Sequence, residues 1–189
     1  MFAFKKEYFF IITNIDDINL NYIKRYNKFN IIYRNQGVIS DLPKVKSFRD
    51  KCKLKRIKFF VANNIRDALL LKADGIYLSA YNKKLGHLNL TKLGFNLIGG
   101  AHNYKEIYQK QNQGCRKIIV SQLFKVNNKP SGKVYGIVKF NNFRFFYKNI
   151  IPLGGIKSHN INKLKMLNSE AFTIMSEIKK KPTISSRLF

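Results

Sequence analysis

The chain has 189 residues, 45% hydrophobic and 14% aromatic, and a formal net charge of +26 from 36 Lys or Arg against 10 Asp or Glu. This composition excludes intrinsic disorder, and the length suits about one domain with a core that needs no staples. No run approaches the ~20 apolar residues of a membrane-spanning helix. The apolar run 8–12 falls short of the ~7–15 residues of a secretory core, so a cytoplasmic protein without a membrane partner is expected.

The charge has two readings. A balance this basic attracts polyanions through counterion release. However, Lys, Asn and Ile dominate together, as AT-rich codons dictate, and cations are spread from Lys5 to Arg187. The compositional reading is preferred to nucleic-acid binding, and a cationic pocket for phosphorylated substrates fits either. Cys52 and Cys115 lie far apart in no Cys/His cluster, so both are expected to be reduced and neither a disulfide nor a zinc site is implied.

Short β-branched and aromatic runs recur, each followed by a helical pattern. Residues 8–13 form the first predicted strand, and Asp16-Asp17 caps a helix to about residue 26. The second strand is 29–34, with a helix over 41–52. The third strand is 57–61, with Asn63-Asn64 capping a helix over 65–72. Strand four is 75–78, followed by a short helix near 90–93. Strand five is 95–98 with a helix over 103–113. Strand six is 117–120, and a loop through Lys129-Pro130-Ser131-Gly132 leads to a helix near 138–146. Strand seven is 150–153 with a helix over 160–167, and strand eight is 172–175, with Ser176 opening a terminal helix.

Eight β-then-α units predict an α/β chain closed as a compact (β/α)8 TIM barrel, with an open doubly wound sheet as the alternative. The barrel spans residues 1–180 and leaves 181–189 as a tail. Active sites of this fold lie on the loops after the strands. Gly154-Gly155 follows strand seven, where glycines let backbone N–H groups approach an anion. Ser176, at a predicted helix N-terminus after strand eight, completes a phosphate site. Arg34 closes strand two and could clamp phosphate bidentately. His102, after strand five, is the best-placed acid/base of the three histidines. His87 and His159 read as solvated or capping.

Asp74 in Ala73-Asp74-Gly75 reads as a turn into strand four, and no carboxylate pair offers a magnesium cage. Phe143, Phe145, Phe146 and Tyr147 beside Arg144 and Lys148 could stack bases. Their helical spacing more simply predicts one buried face.

These strand ends, in this order, resemble the thiamine-phosphate synthase/TenI family from residue 8 to about residue 180. Tyr8-Phe9-Phe10-Ile11-Ile12-Thr13-Asn14 is similar to an opening strand ending in Thr-Asp. Val61-Ala62-Asn63-Asn64 through Ala73-Asp74-Gly75-Ile76-Tyr77-Leu78-Ser79 resembles Ile-Asn-Asp … Ala-Asp-Gly-Val-His-Leu-Gly. Gly99-Gly100-Ala101-His102-Asn103 resembles Gly-x-Ser-x-His. The segment from Gly114 through Ser121-Gln122-Leu123-Phe124 to Lys129 resembles Gly-Ala-Asp-Tyr … Gly-Pro-Val-Phe-x-Thr-x-Thr-Lys. Leu153-Gly154-Gly155-Ile156 with Asn160 resembles Ile-Gly-Gly-Ile … Asn.

The family's synthase joins a pyrimidine pyrophosphate to a thiazole phosphate with magnesium. The resemblance implies that Gly155 and Ser176 hold the thiazole phosphate. It also implies that Arg34 meets the pyrophosphate substrate, that Lys129 matches the substrate-binding lysine after the sixth strand, and that His102 is the acid/base of a TenI-type tautomerase. The two magnesium-binding aspartates fall on Asn63 and Asn82, which bring no negative charge to a hard dication. Ile32, Gln36, Tyr77, Ala80 and Val126-Asn127-Asn128 also depart from the family pattern. The expected function is a divergent thiamine-phosphate synthase-like protein binding thiazole phosphate or thiamine phosphate, with condensation as one activity. The alternatives are a metal-independent tautomerase using His102, or a non-catalytic barrel binding a phosphorylated ligand or nucleic acid.

Overall fold

A computed structural model of the protein describes residues 7–23, 28–35, 37, 39–126, 133–157 and 159–175. Eight parallel strands close on themselves: β1 (Glu7–Ile12), β2 (Phe29–Tyr33), β3 (Lys58–Ala62), β4 (Gly75–Leu78), β5 (Asn96–Ala101), β6 (Lys117–Ser121), β7 (Ile150–Leu153) and β8 (Ala171–Ile174). Closure is carried by β1 pairing β8, with Tyr8 opposite Phe172 and Phe10 opposite Ile174. The expected barrel is therefore present, and the open sheet is not.

Every strand must hide two faces, so its run is mostly apolar rather than alternating, with Asn30 and Thr173 as buried polar exceptions. Phe9, Ile11, Ile32, Phe60, Tyr77, Ile98, Ile119, Ile151 and Ala171 pack together inside the barrel. Their neighbours, such as Tyr8, Phe10, Ile31, Phe59, Ile76 and Ile118, face the surrounding helices. The interior is a filled core, not a channel.

Helices α1 (Leu42–Leu54), α2 (Ile65–Leu70), α3 (Leu88–Lys92), α4 (Tyr104–Asn112) and α5 (Gly136–Phe146) cover the strands. Their starts are encoded locally. Asp41 accepts from the Lys44 N–H at 2.9 Å, Asn64 from the Asp67 N–H at 3.1 Å, and Asn103 from the Glu106 N–H at 2.9 Å. Each side chain satisfies one of the orphan donors of a first helical turn.

The helix expected to about residue 26 is instead two 3-10 turns, Ile15–Asp17 and Leu20–Tyr22. Asn14 rather than Asp16 caps the first turn, and the Asn19 side-chain Oδ1 accepts from the Asn21 N–H at 2.9 Å. Such short Asn-to-backbone bonds compete with an α-helix. The segment expected as helix 160–167 is likewise a 3-10 helix, Ile161–Met166. Asp74, at the N-terminal face of the barrel, accepts from the Phe59 N–H at 2.8 Å and pairs with Arg49 at 3.2 Å, so it ties α1 to the start of β3.

The expected buried face of residues 143–147 is corrected. Phe143 is buried and stacks on Tyr104, but Phe145 is 83% and Phe146 74% exposed. The α5 helix turns only one side to the strands, and three aromatic residues in four positions overfill it. Cys52 and Cys115 are free and buried, and burial pushes both thiols up to about 12.

Candidate active site at the C-terminal barrel face

Because all eight strands run parallel, their C-terminal ends share one face. Arg34 follows β2, Asn63 follows β3, Asn82 lies beyond β4, His102 follows β5, Ser121 ends β6, and Gly154-Gly155 follow β7. Six of the eight sequence-predicted site residues, Arg34, Asn63, Asn82, His102, Gly154 and Gly155, thus lie at this face. Lys129 and Ser176 lie outside the described residues, as do Gln36 and the tail over 181–189.

Gly154 and Gly155 have φ of +103° and +66°, where glycine is favoured over other residues. A Cβ on Gly155 would stand 2.5 Å from the Phe124 carbonyl oxygen, so the close approach excludes any side chain. The buried Asn160 amide holds the turn from behind. Its Nδ2 donates to the Gly155 carbonyl at 2.7 Å, and its Oδ1 accepts from the Lys157 N–H at 2.8 Å. The result is a rigid backbone corner of the kind that cradles oxyanions.

His102 lies at the rim with its ring fixed. Its Nδ1 is 2.7 Å from the Ser121 hydroxyl. Its backbone N–H donates to Glu106 Oε2 at 2.7 Å, and its carbonyl accepts from the Tyr135 hydroxyl. With Nδ1 engaged, Nε2 is the nitrogen left for chemistry. Ser121 was visible in the sequence as the residue that ends the apolar core of strand six, but was given no role there.

Tyr77 fills the upper barrel. Its hydroxyl occupies the space a Gly100 side chain would need, 2.2 Å from that Cβ position. Burial pushes the phenol up to about 12, against the opposing field of Arg34, so it is a neutral donor at physiological pH.

The Asn63 and Asn82 side chains are committed to one another and to their loops. Asn63 Oδ1 accepts from the Ser79 N–H at 2.9 Å and from Asn82 Nδ2 at 3.4 Å. Asn63 Nδ2 donates to Ser79 Oγ at 3.1 Å, and Asn82 Oδ1 takes the Lys84 N–H at 3.2 Å. Behind them, the fully buried Lys110 ammonium donates to the Asn82 carbonyl at 2.6 Å and to Gln113 Oε1 at 2.8 Å. Gln113 Nε2 in turn donates to the carbonyls of Asn82 at 3.0 Å and Lys84 at 2.7 Å.

This donor set does not fit magnesium. Its carbonyls are spent on internal donors, a buried cation stands beside them, and no group of three His, Cys, Asp or Glu able to hold a metal occurs among the described residues. His87, expected to be solvated or capping, is instead 5% exposed and makes no side-chain cap bond. Its Nε2 is 3.4 Å from Asn82 Oδ1, and burial, then Lys110 and Lys84, lower its pKa.

A cleft of about 570 Å³ opens at the opposite end of the barrel, between Glu7, Lys117, Arg144, Lys148 and Glu170. Strand starts line it, where this fold stores stability rather than catalysis, so the C-terminal face remains the better candidate for chemistry.

The thiamine monophosphate synthase family model matches residues 31–178. A thiamine-phosphate synthase of Prochlorococcus marinus is 30% identical over 136 residues, 69% of this chain but 38% of that protein, so the chain spans well under half of this relative. A thiamine-phosphate synthase of Clostridioides difficile is 26% identical over 153 residues, 78% of this chain and 71% of that protein. Thiamine phosphate pyrophosphorylase from Pyrococcus furiosus superposes with a TM-score of 0.77 at 14% identity, covering 97% of this chain and 93% of the other. Phosphoribosyl anthranilate isomerase from Thermotoga maritima gives 0.63 at 12%, over 94% and 91%. The chain belongs to the thiamine monophosphate synthase/TenI family, as a divergent member built on its barrel.

Proposed function

We propose that this protein binds a thiazole phosphate or thiamine phosphate at the C-terminal barrel face, without magnesium. The observation that carries this reading is the contrast between two sides of one site. The Gly154-Gly155 corner is braced by Asn160 and open only to a side-chain-free approach. The Asn63–Asn82 side is neutral and internally hydrogen-bonded. A phosphomonoester suits the first, and a metal-bound pyrophosphate does not suit the second. By family resemblance Ser176 is assigned to the same phosphate, Arg34 to the pyrophosphate substrate, and Lys129 to substrate binding at the sixth loop.

The test is thermal unfolding with thiazole phosphate, with and without magnesium. A ligand at ~100 times its dissociation constant adds about 2.7 kcal/mol. Stabilisation independent of magnesium supports the reading. No stabilisation by either phosphate overturns it. Magnesium-dependent formation of thiamine phosphate from both substrates would restore the condensing synthase.

A second reading rests on the Ser121–His102 pair. With Nδ1 held at 2.7 Å from the hydroxyl, Nε2 can move a proton to or from a bound thiazole, which is the tautomerase reaction and needs no metal. Loss of isomerised product in His102→Gln, with phosphate binding intact, supports this activity. Equal turnover in the variant removes it.

A further inference from the structure

Over residues 107–169 the chain carries twelve Lys or Arg and not one Asp or Glu. That stretch builds the end of α4, then β6, α5, β7 and the 3-10 helix Ile161–Met166, a contiguous sector of the barrel. Cations are spread along the whole chain, so it is the scarcity of carboxylates that gives this sector its net positive field.

The same sector exposes Phe145, Phe146 and Val138 on α5, with Met166 beside them, 65% exposed. The Asn141 Nδ2 donates to the Met166 carbonyl at 2.9 Å, which brings the 3-10 helix against the Val138–Phe145 line of α5. The two Phe rings meet edge to face at 5.4 Å, leaving ring faces to solvent. On either side of these rings in sequence, Arg144 and Lys148 line the cleft of about 570 Å³ together with Lys117, Asn149 and Ser169. Two carboxylates border it, Glu7, paired with Lys117, and Glu170. The Arg144 Nε is enclosed and has no acceptor.

A second copy of a chain with a charge of +26 is repelled from this face. A bilayer would cover the rings but could not enter a polar cleft. A flexible polyanion with flat, stackable groups matches both features. We propose that the α5 sector binds single-stranded nucleic acid, with Arg144 and Lys148 on the backbone and Phe145 and Phe146 stacking bases. The inference is independent of the phosphate reading, because the cleft lies at the other end of the barrel.

The experiment is fluorescence anisotropy of a labelled oligo-dT, about 20 nucleotides long, with the full chain. A strand that gives up about five phosphate charges has a log–log salt slope near −3.5, so fourfold more salt weakens binding roughly 100-fold. Phe145→Ser/Phe146→Ser is expected to lose roughly 10-fold or more in affinity, as stacking rings do, with an unchanged melting temperature because both rings are exposed. Lys148→Gln should lower the slope by about 0.7. A flat slope, or unchanged affinity in the double Phe variant, overturns the proposal. So does finding that the two Phe residues are needed for sedimentation with phosphatidylglycerol vesicles or for self-association, with no oligonucleotide bound.

Discussion

Replacing Lys110 by Met tests how the loop that carries Asn82 is held. Met keeps most of the apolar stem that lies against Gly99, whose Cβ position is 2.8 Å from Lys110 Cβ. It deletes the ammonium and its bonds to the Asn82 carbonyl and Gln113 Oε1. The Asn82 carbonyl keeps the Gln113 amide as a donor, so the group left without a partner is Gln113 Oε1, buried with the rest of its residue. An orphaned buried acceptor costs about 1–3 kcal/mol. Relief of the ammonium's desolvation works in the opposite direction, but its two short bonds to carbonyls offset that term in the native chain. The expected net loss is about 1–3 kcal/mol, or a melting temperature lower by roughly 2–4 °C for each kcal/mol in a chain of this size. Urea unfolding monitored by circular dichroism measures it. Burial lowers the Lys110 pKa below its ordinary 10.5, so the unfolded chain binds the extra proton between the two values. Native stability therefore gains on the variant as pH rises through that window, and the gap widens. A variant as stable as the native chain at neutral pH, or more so, would refute the clasp: it would mean that desolvation outweighs both bonds.

Gly155→Ala forces a side chain into φ +66° and to within 2.5 Å of the Phe124 carbonyl, so a loss of about 2–5 kcal/mol in thermal unfolding is expected, with stabilisation by inorganic phosphate abolished. Gly100→Ala should be costly with Tyr77 present and milder with Tyr77→Phe, which removes the hydroxyl at 2.2 Å; a double-mutant cycle by denaturant titration should show a coupling of about 1–2 kcal/mol, and additivity would contradict the contact. His87 has its pKa lowered from 6.5 chiefly by burial, so the unfolded chain protonates first on acidification. Its contribution to stability is full above about 6.5 and is lost as pH falls below that value. The melting temperature of His87→Gln should therefore fall less between about pH 7 and pH 5 than that of the native chain.

The order of the strands was readable because each is a short apolar run hidden on both faces and punctuated by Asn or Asp caps, as at Asp41, Asn64 and Asn103. The Gly154-Gly155 turn was readable because its conformation demands glycine. The segment after β1 was misread because its Asn side chains bond to nearby backbone instead of letting a helix propagate. His87 was misread because burial at a loop depends on what packs over it, here Asn82 and the Lys110 side of the barrel.

Local chemistry in the sequence was thus enough to set the (β/α)8 order and to place most strand ends within a residue, although β5 runs three residues past its expected end to Ala101, since periodicity, caps and obligatory glycines act over a few neighbours. Which of those residues meet was decided only by closure of the barrel. Ser121 reaches His102 across two adjacent strands, Tyr77 needs Gly100, and Lys110 crosses 28 residues to hold Asn82. Such contacts depend on register, and the partly exposed aromatic run of α5 shows the same limit: helical spacing names a face, but only packing determines whether that face is covered.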